Sequence, residues 1–206
     1  MSRLDELRSL MRGAIRSAGN SIEKVGKLNE ARRVLRELAN QRLLVPDSAV
    51  GAAVARAHGV ESASARSHEG ALYVDAYFTD GEHLEARFEP GLPTFAPRGP
   101  KELVWDVSPP EALASRHLLD VTSALSTAVA TTLWAVVLPR DLEDIGSPIV
   151  DRDGTSRLRV DLRTVPALRE LAQKGSIAAI IEVLELGGIE CADGEMRLQL
   201  KLPGFS

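Results

Sequence analysis

The sequence predicts an α+β protein in which an antiparallel sheet of hairpins packs on a long, mostly buried helix. The chain has 206 residues, of which 44% are apolar and 26% charged, as in ordinary globular proteins. Apolar and polar residues alternate in its middle and towards its end, which is typical of half-buried strands. An almost uncharged stretch with helical character lies between these two regions.

The first 45 residues predict a basic helical arm or hairpin, and residues 46–206 predict an α+β domain. Apolar side chains at spacings of three and four predict one amphipathic helix over residues 3–18 and a second over about 21–43. A stripe of three arginines lies beside the first apolar seam: Arg8, Arg12 and Arg16. Both seams are narrow, as in helices that pair with each other or with a partner.

The charge of the chain is divided unevenly between the arm and the domain. Residues 1–42 hold ten Lys and Arg against five Asp and Glu, a net charge of +5. The remaining residues hold fifteen against twenty-four, a net charge of −9. We expect such an arm to bind an anionic membrane surface or a partner, or to pair with its own acidic domain. Because the arm has no Phe, Tyr or Trp on which bases could stack, we expect no nucleic-acid binding.

The domain begins with a short helix and continues with strands. The helix is predicted after Pro46 and is ended by Gly59. From Val60 the apolar residues recur at every second position, and the same period returns in the C-terminal part of the chain. Two further helices are predicted near residues 166–174 and 176–185.

Three Asp-Gly pairs between strand patterns each predict an antiparallel hairpin. The turns are Asp80–Gly81, Asp153–Gly154 and Asp193–Gly194. Residues paired across two strands share a face, so the registers should place apolar residues opposite each other. The registers that do so pair Ala76 with Leu84, Ile149 with Leu158, and Cys191 with Met196. The first of these needs a three-residue loop, and the other two need two-residue loops.

The longest helix is predicted over about residues 111–138. The stretch from Val121 to Pro139 contains no charge over 19 residues, which is just long enough to cross a bilayer. Six Ser and Thr residues dilute it, however, and the flanking charges show no positive bias. We therefore expect a helix buried inside the protein. Because it is apolar or mildly polar on every side, it must be covered on every side.

This helix supplies most of the residues that we expect to bind a ligand. An apolar stripe and a tryptophan from the opposite side are predicted to line a groove: Leu118, Val121, Leu125, Val129 and Trp134. The proline-rich linker 89–100 adds Leu92 and Phe95, which are expected at the lip of the groove. Close packing of the helix, with the two linker residues tucked into the core, is the alternative.

The sequence predicts no catalytic site, no metal site and no cofactor. The single cysteine, Cys191, falls on the apolar face of its strand, and the four histidines are scattered. The run from Asp151 to Gly154 resembles the start of a calcium loop, but Leu162 stands where that loop needs an acid. Phosphate loops, nucleophile elbows and zinc-binding helices have no match in the sequence. We therefore expect a protein that is not an enzyme.

Two functions fit these expectations. In the first, the protein binds an apolar, lipid-like ligand and contacts an anionic membrane surface through its arginine stripe. In the second, it is a scaffold or protein-interaction module that assembles through its N-terminal helices, forming a homo-oligomer through residues 1–43. The acidic N-terminus is followed by no apolar targeting stretch, so we expect a cytoplasmic location, with peripheral membrane contact in the first case.

Overall fold

The structure is a computed structural model that describes residues 43–96, 99–135, 145–172 and 185–201. Within these ranges the chain folds as predicted, into an α+β structure of antiparallel sheets and a long, mostly buried helix. The predicted arm at residues 1–42 lies outside the described residues, as does the predicted helix 176–185 up to residue 184. The division into an arm and a domain stays a prediction.

The elements are numbered here in chain order. The strands are β1 (Leu43–Pro46), β2 (Val60–His68), β3 (Ala71–Phe78), β4 (His83–Pro90), β5 (Thr94–Phe95), β6 (Lys101–Ser108), β7 (Ile149–Arg152), β8 (Arg157–Asp161), β9 (Glu185–Ala192) and β10 (Glu195–Lys201). The helices are α1 (Asp47–Val54), α2 (Pro110–Ala114), α3 (Leu118–Ala135) and α4 (Pro166–Ala172), with a 3₁₀ turn at Leu162–Thr164.

The strands form two antiparallel sheets. The larger sheet has the order β2-β3-β4-β6-β8-β7, and the short β5 pairs with β6 beside this path. The smaller sheet has the order β1-β10-β9, so the first described strand pairs with the last. The junction between the sheets is held by Asp47, whose carboxylate accepts hydrogen bonds from the backbone N–H and the hydroxyl of Ser67. His68 and Asp193 add a second contact across the junction, at 2.7 Å.

The first and last hairpins have the predicted registers. Ala76 lies opposite Leu84 across the β3–β4 turn, and Cys191 lies opposite Met196 across the β9–β10 turn. Gly81 in the first turn has a φ of +86°, which glycine adopts without steric cost. The loop lengths at these turns therefore follow from the alternation of apolar residues.

The register predicted for the β7–β8 hairpin is wrong. Ile149 lies opposite Asp161 and not Leu158, while Val150 lies opposite Val160. Strand β7 is at the edge of its sheet, and Ile149 remains 53% exposed. The prediction relied on burying Ile149 opposite Leu158. Because Ile149 stays half exposed, its burial adds little to stability and does not determine the β7–β8 register.

The helix predicted over about residues 111–138 is interrupted. The structure has the short helix α2 and then α3, separated by residues 115–117, and residues 136–138 lie outside the described ranges. Ser115 is extended, with a φ of −63° and a ψ of 134°, and its hydroxyl accepts the backbone N–H of His117 at 3.1 Å. Serine favours this local bond over a continuing helix, so the chain turns before α3 begins.

The main core lies between α3 and the larger sheet. The apolar stripe of α3 has no solvent exposure: Leu118, Val121, Leu125, Val129 and Leu133. These side chains belong to one hydrophobic cluster with Phe88 and Trp105 of the central strands. The indole N–H of Trp105 donates to the hydroxyl of Ser126 at 3.1 Å, and both side chains are buried. This bond fixes how α3 is rotated relative to β6.

Four more hydroxyl groups of α3 are paired, which allows one of them to be buried and three to be partly buried. Thr122, Thr127 and Thr132 each donate to the carbonyl four residues earlier in the helix, and Ser123 donates to the carbonyl of Pro148. Among the described residues, α3 is the helix with the length and composition to cross a membrane, and it is mostly buried inside the protein. This agrees with the expected core helix.

Helix α1 packs on β2 and lies beside α3. Gly51 faces β2 so closely that a Cβ at this position would lie 3.4 Å from the backbone nitrogen of Ala65. Because glycine removes that Cβ, the helix approaches the sheet at the level of its backbone. Helix α1 also contacts α3.

Replacing Ser126 with Ala tests the role of the bond to Trp105. The variant leaves a buried indole N–H without an acceptor, so we expect the free energy of unfolding to fall by about 1–3 kcal/mol. Urea denaturation measures this change. The matched control is Ser156→Ala, the same change at an exposed position of the β7–β8 turn, for which we expect a change below about 0.5 kcal/mol. Equal stabilities for the two variants would contradict the assigned role.

Candidate functional site

The structure contains a groove between α1 and α3, on the side of α3 that faces away from its apolar stripe. Its cavity volume is about 760 Å³. The α1 side and the turn after it contribute Ala49, Ala52, Ala53, Arg56, Ala57 and His58. Helix α3 contributes Asp120, Ser123, Ala124, Thr127, Ala128, Thr131 and Thr132, and the segment before β7 contributes Ile145, Gly146 and Ser147.

The groove exists because both helices carry small side chains where they face it. Ala124 and Ala128 form part of its floor, since they are only 8% and 7% exposed. Ala52 and Thr131 are exposed in its walls. Among the described residues, Ile145 is the one large aliphatic side chain in the lining. The described surface of the groove therefore consists mainly of methyl groups, hydroxyl groups and backbone atoms, and few large side chains project into it.

In the described part of the lining, three side chains are ionisable. Arg56 and His58 follow α1, and Asp120 lies in the first turn of α3. All three are exposed, and none makes an ion pair with another described residue. The basic and acidic groups are thus on opposite walls of the groove.

The residues predicted to bind a ligand lie elsewhere. Leu118, Val121, Leu125 and Val129 lie in the closely packed core, and none of them lines the groove. In the linker, Phe95 is buried in the core and Leu92 is 85% exposed. The structure does not bring these side chains together as the lining of one site. Arg8, Arg12 and Arg16 lie outside the described residues.

Trp134 is the one predicted residue close in position to the groove. It lies three and seven residues after Thr131 and Thr127, so helical periodicity places it on the same side of α3. Its side chain is buried but does not line the groove, and its indole N–H has no acceptor in the described part of the structure. A buried donor without an acceptor is unfavourable.

A polar cluster joins the β3–β4 turn to the start of α3. The imidazole Nε2 of His117 lies 2.7 Å from Asp80 Oδ2 and 3.8 Å from Glu82 Oε2. The ring of His117 also stacks on Phe78, with 3.8 Å between the ring centroids. Arg116 pairs with both carboxylates, and the hydroxyl of Ser115 donates to Glu82.

Asp80, Glu82 and His117 are the described residues that have the donor set for a divalent cation, since their ligand atoms lie within 4.8 Å of one another. The guanidinium of Arg116 already forms ion pairs with both carboxylates, however. We therefore interpret the cluster as a structural link between turn and helix. Sequence reasoning missed it because a turn and a helix start more than thirty residues apart give no local signal of contact.

The remaining chemistry-bearing side chains form surface pairs or are buried. His83 bonds Asp75 at 2.9 Å and stacks on Tyr77, on the solvent face of the larger sheet. Cys191 is buried as predicted, and burial raises the pKa of its thiol to about 12. A thiol with this pKa is a poor nucleophile at neutral pH.

Comparisons with protein-family models, with curated proteins and with solved structures find no match to this chain. In its own geometry, the described structure is an α+β protein of two antiparallel sheets. Its candidate site is a groove of small side chains beside the core helix.

The polar cluster predicts acid-dependent stability. The backbone N–H of Glu82 donates to Asp80 and is the largest cause that lowers the pKa of this carboxyl from 3.8 to about 2. The hydrogen bond from His117 and the charge of Arg116 lower this pKa further. Since the folded pKa is below the unfolded one, the contribution of Asp80 is fully present above about pH 4 and is lost as the pH falls towards 2.

We expect the difference in unfolding free energy between the native chain and Asp80→Asn to stay level from pH 5 to about pH 4 and then to shrink towards pH 2. Because the asparagine cannot titrate, this change in the difference reports the titration of Asp80 in the native chain. Urea denaturation at half-unit pH steps measures the difference. A gap that stays constant over this range would show that Asp80 is not coupled to folding.

Proposed function

We propose that the protein is a non-catalytic protein-interaction module that binds the apolar face of a helix in the α1–α3 groove. The observation that carries this proposal is the lining itself. Two neighbouring helices present small residues to one channel, and such residues allow a third helix to approach closely. The alternative in the sequence analysis was an interaction module that assembles through its N-terminal helices; we propose the same class of function with a different binding surface, the α1–α3 groove.

The spacing of the groove residues supports a helical occupant. On α3 the lining residues recur at intervals of three and four, as in Ala124, Thr127, Ala128 and Thr131. Rows with this spacing form the ridges into which the side chains of another helix interdigitate. The walls supply small ridges, so the occupant must supply the large apolar side chains. An amphipathic helix with a narrow apolar seam has the complementary shape.

A lipid-like ligand is the second candidate, because the cavity volume of about 760 Å³ lies within the range of small-molecule sites, roughly 300–1,000 Å³. The small, partly polar lining supports it less well. Pockets for apolar ligands are walled mainly by hydrophobic and aromatic side chains, whereas the part of this lining that the structure describes has Ile145 and otherwise small or polar residues. Membrane contact through the arginine stripe stays a prediction.

Cysteine labelling of the full-length chain tests whether the groove is an occupied binding surface. We expect Ala52→Cys, in the groove wall, to react with N-ethylmaleimide at least tenfold more slowly than Ala55→Cys. Ala55 is also exposed and lies three residues further on, but it does not line the groove. The native thiol contributes little background, because Cys191 is buried and its pKa is raised to about 12.

Mass spectrometry of the same sample identifies the occupant. A native mass equal to that of the chain indicates an internal segment, twice that mass indicates a second copy, and a small added mass that an organic solvent extracts indicates a lipid-like ligand. Equal labelling rates for the Ala52→Cys and Ala55→Cys variants would mean an open groove and would contradict the proposed function.

A further inference from the structure

We propose that Asp80, Glu82 and His117 bind a divalent transition-metal ion of the zinc type, in exchange for the guanidinium of Arg116. The inference concerns the polar cluster between the β3–β4 turn and the start of α3, and it does not depend on the α1–α3 groove. The structural link between turn and helix is then closed by one of two cations, the guanidinium or the metal ion. Three observations carry the proposal: the donor set, the way its atoms are held, and the cation that already contacts all three.

The cluster combines one imidazole with two carboxylates. Imidazole nitrogen and carboxylate oxygen are both ligands of Zn²⁺, whereas Mg²⁺ and Ca²⁺ are bound by oxygen donors. Two ligands of one tetrahedral zinc ion lie about 3.3 Å apart, because each is about 2.0–2.1 Å from the metal. The distances from His117 Nε2 to Asp80 Oδ2, 2.7 Å, and to Glu82 Oε2, 3.8 Å, lie on either side of that value. Small movements of the side chains therefore suffice to place the three atoms around one ion.

Each of the three side chains is held so that one ligand atom remains available. Asp80 accepts the backbone N–H of Glu82 with Oδ1 at 2.9 Å, which leaves Oδ2. Glu82 accepts the hydroxyl of Ser115 with Oε1, which leaves Oε2. The ring of His117 stacks on Phe78 with an interplanar angle of 7°, and its Nε2 faces the two carboxylates. Bonds of this kind orient the ligands of metal sites.

The guanidinium of Arg116 shows where a cation lies in this cluster. Its Nη2 contacts Asp80 Oδ2, and its Nε lies 3.2 Å from Glu82 Oε2 and 3.3 Å from His117 Nε2. One ring nitrogen cannot donate to Asp80 and accept from Arg116 at the same time, so the guanidinium leaves one of these contacts unsatisfied. A metal ion accepts a lone pair from each of the three atoms. The Arg116 side chain is 66% exposed, so it can move away without opening the core.

His68 also has two carboxylate neighbours, but it lacks this geometry. Its Nδ1 lies 2.7 Å from Asp193, whereas Glu69 lies 3.5 Å from the other ring nitrogen, Nε2. The two carboxylates are therefore on different sides of the ring, and one ion cannot contact all three side chains. The sequence predicted no metal site because its four histidines are scattered, and their spacing does not show that folding places His117 beside the β3–β4 turn.

The exchange has two consequences for the protein. Three protein ligands leave a coordination position of zinc for water or for an outside ligand. The ion also connects the β3–β4 turn to the start of α3, so that binding stabilises the folded chain in proportion to the logarithm of the zinc concentration above the dissociation constant.

Isothermal titration calorimetry of the full-length, tag-free chain with ZnCl₂ at pH 7 tests the proposal. We expect one ion per chain in the site of highest affinity. His117→Gln removes the nitrogen ligand and should weaken binding at least tenfold, whereas the control His68→Gln should leave the affinity within twofold of the native value. Arg116→Gln keeps all three ligands and removes the competing cation, so it should strengthen binding several-fold.

The Arg116→Gln variant distinguishes a metal site from a link made of ion pairs alone. Tighter zinc binding in this variant supports the exchange, and it decides the question even where His117→Gln folds poorly. Unchanged or weaker affinity in Arg116→Gln, or equal weakening by His117→Gln and His68→Gln, would overturn the proposal. The absence of saturable zinc binding by both the native chain and Arg116→Gln would overturn it as well.

Discussion

The burial of helix α3 is the constraint on which the rest of the structure depends. The helix has one charged residue, Asp120, in 18 positions, so every side of it has to be covered or paired. The larger sheet covers the apolar stripe, and the bond from Trp105 to Ser126 fixes the rotation of the helix against β6. A single sheet covers only one side of a helix, and on the side of small residues α1 and the groove lie against α3.

The hydroxyl groups of α3 explain how this side differs from the core. Thr127 and Thr132 satisfy their hydroxyls within the helix, and Ser123 bonds the carbonyl of Pro148. Because these hydroxyl groups are already hydrogen-bonded, a surface that packs on them does not have to supply acceptors and needs only a complementary shape. Together with Ala124 and Ala128, these residues form the side of α3 that lines the groove. This side is less polar than a typical solvent-exposed helix face, and its side chains are smaller than those of a typical core. This intermediate character is the reason for proposing that the surface binds a helix.

The sequence predicted the elements of the fold better than it predicted the site. Strands, the buried helix and two hairpin registers follow from period and turn residues, which act locally. The break at Ser115 and the edge pairing of Ile149 were missed, because one depends on a single side-chain bond and the other on little burial. The sequence predicted a ligand site lined by large apolar residues of α3, whereas the groove is lined by small residues of that helix. Its α1 wall is supplied by residues some seventy positions earlier, which periodicity within α3 cannot reveal.

The most direct test of the central claim is an NMR measurement on the full-length chain with labelled alanine methyl groups. The account predicts nuclear Overhauser contacts from the methyls of Ala52 and Ala128, which line the groove, to protons that do not belong to residues 43–201. If these alanine methyls show contacts only to residues 43–201, nothing completes the small-residue side of α3, and the account is contradicted.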